Sequence, residues 1–143
     1  MVESTARHAH DTLQLAWVRT GMGRVYCRGA VHEAAAGSVV VVAPGEMHHG
    51  HSVGPDGWSY RLLEATPGAL EEVAAEIPRR GAPEPAWVAS RDAALSVAFA
   101  RWAHAEERGE GGLEADSLAW EAMAALAGGS GARAGREPAA VRH

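Results

Sequence analysis

The segment spanning residues 37–52 constrains the fold of this chain more than any other. It reads G-S-V-V-V-V-A-P-G-E-M-H-H-G-H-S and contains four β-branched residues in succession, Val39–Val42. Such a run is too short for a helix and is apolar on both sides, which predicts a buried strand. Pro44 and Gly45 suit the corner positions of a tight turn. We therefore expect the chain to reverse direction there and to return past this strand.

Three histidines, His48, His49 and His51, follow the turn. Successive side chains of a strand point to opposite faces, so His49 and His51 share one face and His48 lies on the other. A single histidine that re-enters the fold needs partners from another part of the chain to form a site.

The N-terminal region contains candidate partners for His48. His8, His10 and Gln14 have the same parity, and they point to one face if a strand runs unbroken through Asp11. Imidazoles together with an amide or water are suitable ligands for Zn, Ni, Fe or Mn. A His-x-His pair is also common as an exposed or simply hydrogen-bonded pair, so both interpretations stay open.

Composition narrows the class of protein. The 143 residues fit one domain. The formal charge of −5 and the absence of lysine argue against DNA binding by this chain alone, because phosphate binding relies on clustered Lys and Arg. A single cysteine, Cys27, excludes an internal disulfide framework and fits a reducing cytoplasm. No signal peptide or membrane-length apolar run is recognisable, so we predict a cytoplasmic protein without a membrane partner.

Short β-prone runs separated by glycine turns occupy the first half of the chain. The pattern predicts strands over Leu13–Arg19, Arg24–Arg28 and Trp58–Leu63, with a turn over Thr20–Gly23. This arrangement favours a β-sandwich or barrel over a βαβ fold.

Helical patterns begin after residue 64. A short helix is predicted over about 67–77, started by an N-cap and a proline and ended by Pro78. Two longer helices, from a Ser90 cap to about 108 and over about 113–127, form a predicted hairpin. A flexible linker follows, and residues 137–143 resemble the beginning of a further helix.

Two motifs are similar to those of the cupin superfamily. The first is His8-Ala9-His10 with Gln14 and Gly21, where Gln14 stands in place of the frequent Glu. The second is Gly37, Gly45 and His48, with Ala43 and Ser52 where the family usually has Pro and Asn. The resemblance implies a mainly β fold, a double-stranded β-helix or jelly-roll barrel. It also implies that the ligands of a possible metal map to His8, His10, Gln14 and His48.

One branch of the cupins resembles more of the chain. The start H-x-H-D, the segment P-G-E-M-H-H-G and the segment W-S-Y-R-L-L are similar to the effector domain of AraC-type transcription regulators. The resemblance implies a cupin effector domain over residues 1–88 and a dimerising helical hairpin over 89–127. Residues 128–143 would be the linker and the start of a DNA-binding helix-turn-helix region that is otherwise absent from this chain.

We therefore predict a ligand-sensing and dimerisation domain rather than an enzyme. The effector would be a sugar or a small aromatic or acidic metabolite. Aromatic residues of the strands, Trp17 and Tyr60 among them, are candidates to line its pocket, and Arg61 is a candidate anchor for an acidic group. The predicted ligand-binding set is His8, His10, Gln14, Tyr26, His48, Trp58 and Arg61.

The alternative is a free-standing metal-dependent cupin enzyme of the dioxygenase or isomerase type. Such an enzyme needs an open metal position and a nearby acid or base. Gln14 replaces the usual carboxylate, and no other strand residue clearly supplies one.

The helical hairpin carries large apolar side chains, namely Phe99, Trp102, Trp120 and Met123. Aromatic and Met residues are favoured at interfaces, so we predict a homodimer through this hairpin. The alternative is that the hairpin covers the odd-numbered face of the first strand, which carries Leu13, Leu15 and Trp17.

Overall fold

The computed structural model describes residues 11–76, 88–109 and 112–128. Predictions that concern His8, His10 and the C-terminal linker lie outside these residues. In chain order the elements are β1 (Leu13–Cys27), β2 (Ala30–Ala35), β3 (Val39–Val42), β4 (His48–Ser52), β5 (Trp58–Ala65), α1 (Pro67–Ala75), β6 (Ala89–Ser90), α2 (Ala93–Glu107) and α3 (Leu113–Ala127). The predicted fold class, mainly β with a C-terminal helical pair, is confirmed.

Strand β1 organises the whole sheet. Its N-terminal half pairs antiparallel with β3 and β5, and its C-terminal half pairs antiparallel with β2 and β4. The predicted turn over Thr20–Gly23 is wrong, because β1 continues through it. Instead, the register with β5 shifts between Val18 and Thr20. A bulge inserts one unpaired residue and bends the strand, so the sheet curls where a turn was expected.

The bulge also changes which residues of β1 point to each side of the sheet. Before it, the even-numbered Val18 faces the concave side of the sheet; after it, the odd-numbered Val25 and Cys27 do. All three belong to one buried group, here called the interior cluster, which consists of Val18, Val25, Cys27, Ala34, Val40, Val42, Trp58 and Val88. Because this cluster draws residues from both halves of the sheet, it marks the concave side.

The helical pair covers the opposite, convex side of the N-terminal half of β1. Leu13, Leu15 and Trp17 form one cluster with α2 and α3, to which the helices contribute Leu95, Phe99, Trp102, Leu118 and Leu126 among others. Trp102 is 4% exposed. Two of the four large side chains predicted at a dimer contact, Phe99 and Trp102, are therefore buried within a single chain, as the alternative interpretation required.

The turn at Pro44 and Gly45 forms as predicted. Gly45 has φ 83°, and the Glu46 N–H donates to the Ala43 carbonyl at 3.2 Å. These are features of a type II turn with proline at its first corner. The chain does not return along β3, however. It crosses to the C-terminal half of β1, where His48 lies opposite Cys27.

Side-chain caps start the first two helices. The Thr66 hydroxyl accepts the Ala69 N–H at 3.1 Å at the start of α1. Asp92, rather than the predicted Ser90, caps α2 by accepting the Leu95 N–H at 3.0 Å. None of the helices in the described residues is long and apolar enough to span a membrane.

Candidate functional site

Two histidines lie on the concave side of the sheet. Directly opposite residues of an antiparallel pair share a face. His48 lies opposite Cys27 and His32 lies opposite Val25, so both imidazoles share the side of the interior cluster. They are 8% and 6% exposed. His32 was not predicted as a site residue, because only the β1–β2 register places it beside this face.

The hydrogen bond to Glu46 fixes which ring nitrogen of His48 carries the proton. His48 Nδ1 lies 3.1 Å from the carbonyl oxygen of Glu46. A carbonyl oxygen only accepts, so Nδ1 carries the proton and the lone pair of the neutral ring is on Nε2. This tautomer is suited to binding a metal ion or to accepting a hydrogen bond from a ligand.

Gln14 lies on the same side at the beginning of β1. It is buried, and its register partners are Val42 and Glu64 on either side. Its amide Nε2 donates to Glu64 Oε2. Glu64 therefore supplies the carboxylate that the sequence analysis did not find. Its sequence position gives no signal of this role, because the pairing of β1 with β5 brings together residues fifty positions apart.

Aromatic side chains complete the concave face. Trp58 belongs to the interior cluster, and Tyr60 packs against that cluster with its ring centroid 5.0 Å from that of Trp58. Trp58 is buried, whereas Tyr60 is half-buried. Trp58 thus forms part of the floor of this face, and Tyr60 presents a more accessible ring.

Tyr26, another predicted ligand-binding residue, lies on the convex side of the C-terminal half. It is opposite His49, and its ring stacks on that imidazole with centroids 4.5 Å apart. The His51 ring stacks on Tyr26 at 5.4 Å. The predicted separation of His49 and His51 from His48 is confirmed, and Tyr26 is not brought together with His48.

Arg61 also lies away from the concave face. It is opposite Trp17, on the side that the helices cover. Its guanidinium lies 3.9 Å from the carboxylates of both Glu106 and Glu107 in α2. Arg19, at the β1 bulge, forms a closer ion pair with Glu107 at 2.6 Å. Both arginines therefore form ion pairs that connect the sheet to α2.

The described residues of the concave face include donor types that a metal ion accepts. His48 through Nε2, Glu64 and the Gln14 amide oxygen are ligand types that divalent transition metals accept. Within residues 11–76, 88–109 and 112–128, no group of three or more His, Cys, Asp or Glu side chains is placed to hold an ion. Further ligands would have to come from His8 and His10, outside the described residues.

The fold agrees with a comparison of the sequence with known families. Residues 1–123 match the model of the AraC-like ligand binding domain. The chain belongs to this family. An AraC-like ligand-binding domain is a cupin-type domain with a ligand-sensing role in a regulator, so the resemblance drawn from the motifs is confirmed.

Two solved oxalate decarboxylase structures are similar to part of this AraC-like domain. One, determined for the substrate binding mode and reaction specificity of the enzyme, is 18% identical with a TM-score of 0.42. The similarity covers 44% of this chain and 18% of the decarboxylase chain. A mutant of the Bacillus subtilis enzyme is 16% identical with the same TM-score, over 54% of this chain and 23% of its own. The AraC-like domain thus spans less than a quarter of either chain. No curated protein matches it.

Beside His48, the AraC-like domain contains the buried thiol of Cys27 and the half-buried carboxylate of Glu46. Burial, together with the nearby Glu46 carboxylate, raises the pKa of the Cys27 thiol to about 11. Burial opposes the ionisation of Glu46, but hydrogen bonds from Arg28 and the Ala43 N–H outweigh it. The pKa of the Glu46 carboxyl is therefore held below its ordinary value.

The raised pKa of Cys27 predicts a pH-dependent stability. The unfolded thiol has its ordinary pKa of 9.0 and the folded thiol one of about 11, so the unfolded state loses its proton first. The contribution of Cys27 to the free energy of unfolding is present below pH 9 and is lost as the pH rises towards 11. Urea midpoints at about pH 8 and about pH 10 should fall more in the wild type than in Cys27→Ala. Equal falls would contradict this account of the thiol.

Proposed function

We propose that this chain is the ligand-sensing and dimerisation domain of a cytoplasmic AraC-type transcriptional regulator. The observation that supports this function best is the concave face, which combines the oriented imidazole of His48, the Gln14–Glu64 pair and the ring of Tyr60. Polar groups that share a face with aromatic rings are typical of a small-molecule site.

The same groups narrow the class of effector. Imidazole, amide and carboxylate groups bind hydroxyls, and aromatic rings stack on sugar or ring faces. Glu64 gives this face a negative charge, and Arg61 is engaged by α2. A sugar or another hydroxyl-rich small molecule therefore fits better than an acidic metabolite.

Signalling requires that the effector bind two arrangements of the regulator with different affinity, because equal binding shifts no equilibrium. In the proposed regulator these arrangements differ in how a DNA-binding helix-turn-helix half is presented. Dimerisation would use the outer surface of α2 and α3. Apolar side chains that remain exposed there include Val97, Leu113 and Trp120.

The proposed site also includes one divalent ion, Zn, Ni, Fe or Mn, held by His8, His10, Gln14 and His48. A metal that binds the folded state alone stabilises it by about 2.7 kcal/mol at a free concentration of 100 times its dissociation constant. For a domain of this size, the melting temperature should rise by about 5–10 °C. The rise should fade as the pH falls through about 6.5, because imidazoles must be neutral to bind metal.

Differential scanning fluorimetry with Ni²⁺ or Zn²⁺ tests the metal, with two adjacent histidines as a matched pair. His48→Ala should abolish the rise, and His49→Ala, on the convex side, should retain most of it. A wild-type melting temperature indifferent to metal, together with no bound metal by elemental analysis, would contradict the metal site. The sensor proposal would then rest on the organic effector.

A metal-dependent cupin enzyme is the second candidate, and Glu64 is the observation that favours it. A carboxylate hydrogen-bonded to Gln14 on the concave face is a candidate acid or base. Turnover of a bound compound that Glu64→Gln abolishes without loss of binding would favour the enzyme over the sensor.

A further inference from the structure

Strand β5 presents three side chains of different chemistry to the concave side, Tyr60, Leu62 and Glu64. Leu62 lies opposite Ala16, which packs against the interior cluster, and directly opposite residues share a face. Tyr60 also packs against that cluster. Glu64 lies opposite Gln14 and accepts its amide N–H. An aromatic ring, an apolar side chain and a carboxylate therefore follow one another along the β5 border of this face.

Leu62 is accessible although it lies on the side of the interior cluster. It is 46% exposed, whereas its neighbour Leu63 packs against the cluster that the helices form with the sheet. Burial of apolar surface favours binding. An accessible leucine on the concave face therefore offers apolar area that a ligand can cover.

Glu64 determines the charge of this border. One of its carboxylate oxygens accepts the Gln14 amide, and a carboxylate can accept several further hydrogen bonds. The chain has no lysine, and the described arginines of the sheet form ion pairs with α2, Glu33 and Glu46 instead. The amide oxygen of Gln14, like the carboxylate, only accepts hydrogen bonds. This end of the face therefore complements a group that is positively charged and rich in N–H donors.

We propose that the effector carries a protonated amine that binds Glu64 and Gln14, and a ring or other apolar portion that covers Leu62. A strand rises about 3.3 Å per residue, so alternate residues are about 7 Å apart. A ring compound with an amine on or near the ring spans that distance. Amino sugars and arylalkyl amines meet this requirement. The inference rests on the proposed function in one respect, namely that the effector binds the concave face.

The test compares charged probes with neutral probes of the same shape. D-glucosamine is paired with D-glucose, and 2-phenylethylamine with 2-phenylethanol, in ¹H–¹⁵N NMR titrations at pH 7 in metal-free buffer of low ionic strength. Both amines are largely protonated there. Because a charge-assisted hydrogen bond is stronger than a neutral one, and the carboxylate is partly exposed, we expect each amine to bind about three- to tenfold more tightly. The preference should decrease at high salt.

Two variants assign this preference to the row on β5. Glu64→Gln removes the charge and keeps an oxygen that can accept the Gln14 amide, so the preference for amines should fall to less than about twofold. Glu33→Gln is the matched control, because it removes an exposed carboxylate on the convex side. It should leave the preference unchanged. Leu62→Ser should weaken 2-phenylethylamine and 2-phenylethanol to a similar extent, because it removes apolar area without changing charge.

The outcomes separate this inference from the sensor proposal. Equal binding of an amine and its neutral partner to the wild type, or a preference that persists in Glu64→Gln, would overturn the inference. The sensor proposal would stand if the neutral probes still shift Gln14 and Tyr60. Failure of all four probes to bind the concave face would also overturn the inference, and binding of all four to the convex side would contradict both.

Discussion

Gly23→Ala is expected to destabilise the domain strongly, whereas Gly50→Ala under the same indole ring is expected to be tolerated. A Cβ at residue 23 would lie 2.3 Å from Cε3 and Cζ3 of Trp58. At residue 50 the nearest indole atom would be 3.6 Å away, an ordinary contact. Overpacking costs about 1–3 kcal/mol, and expulsion of a buried Trp costs about 3–5 kcal/mol. The free energy of unfolding of Gly23→Ala should therefore be lower than that of the wild type by about 1–5 kcal/mol.

Urea unfolding of the two variants measures this difference. Gly23 does not require a left-handed conformation, so its substitution tests steric contact with Trp58 alone. A midpoint for Gly23→Ala within error of that for Gly50→Ala would contradict the packing of Trp58 across β1. Trp58 would then not form the floor of the proposed ligand site.

Trp102→Glu is expected to unfold the chain, and Trp120→Glu is expected to leave each chain folded. Trp102 is buried in the cluster that the helical pair forms with the sheet, where a carboxylate without a partner costs several kcal/mol in addition to the lost packing. Trp120 is 39% exposed. Its substitution should instead weaken a dimer formed through the outer surface of the hairpin.

Circular dichroism melts and light scattering together distinguish these two effects. We expect loss of the folding transition for Trp102→Glu, and for Trp120→Glu a wild-type melt with a shift from dimer to monomer at tens of micromolar. A cooperative, wild-type melt of Trp102→Glu would contradict the helix–sheet core. A dimer unaffected by Trp120→Glu would contradict the proposed dimer surface.

Local signals in the sequence were sufficient for several elements. The Val39–Val42 strand and the turn at Pro44 and Gly45 depend on residues next to one another, and both formed as predicted. The separation of His48 from His49 also follows from strand alternation alone. Such features are predictable because their cause lies within a few residues.

The bulge after Val18 was not predictable in this way. Glycines at 21 and 23 suggest a turn, yet Gly21 bends a continuous strand and Gly23 accommodates the Trp58 ring. The choice between a turn and a bulge is decided by pairing with β5, which lies far away in the sequence. The same pairing determines that even-numbered residues of β1 before the bulge and odd-numbered residues after it point to the same side of the sheet.

The composition of the site depended on strand register in the same way. Glu64 and His32 join the concave face, and Tyr26 and Arg61 lie elsewhere, because of partners that only the register identifies. Residue type alone made Arg61 a plausible anchor for an acidic ligand. Its position opposite Trp17 and next to α2 explains its ion pairs with that helix instead.

The most direct test of the sensor account is to locate where a bound small molecule lies. Sugars and other hydroxyl-rich metabolites would be screened for binding by NMR, and the shift changes caused by each bound compound would be assigned to residues. We predict that the largest changes occur at His48, Gln14 and Tyr60, with little change at His49 and Tyr26. Binding that maps to the convex side or to the helical hairpin, with the concave residues unaffected, would contradict the account.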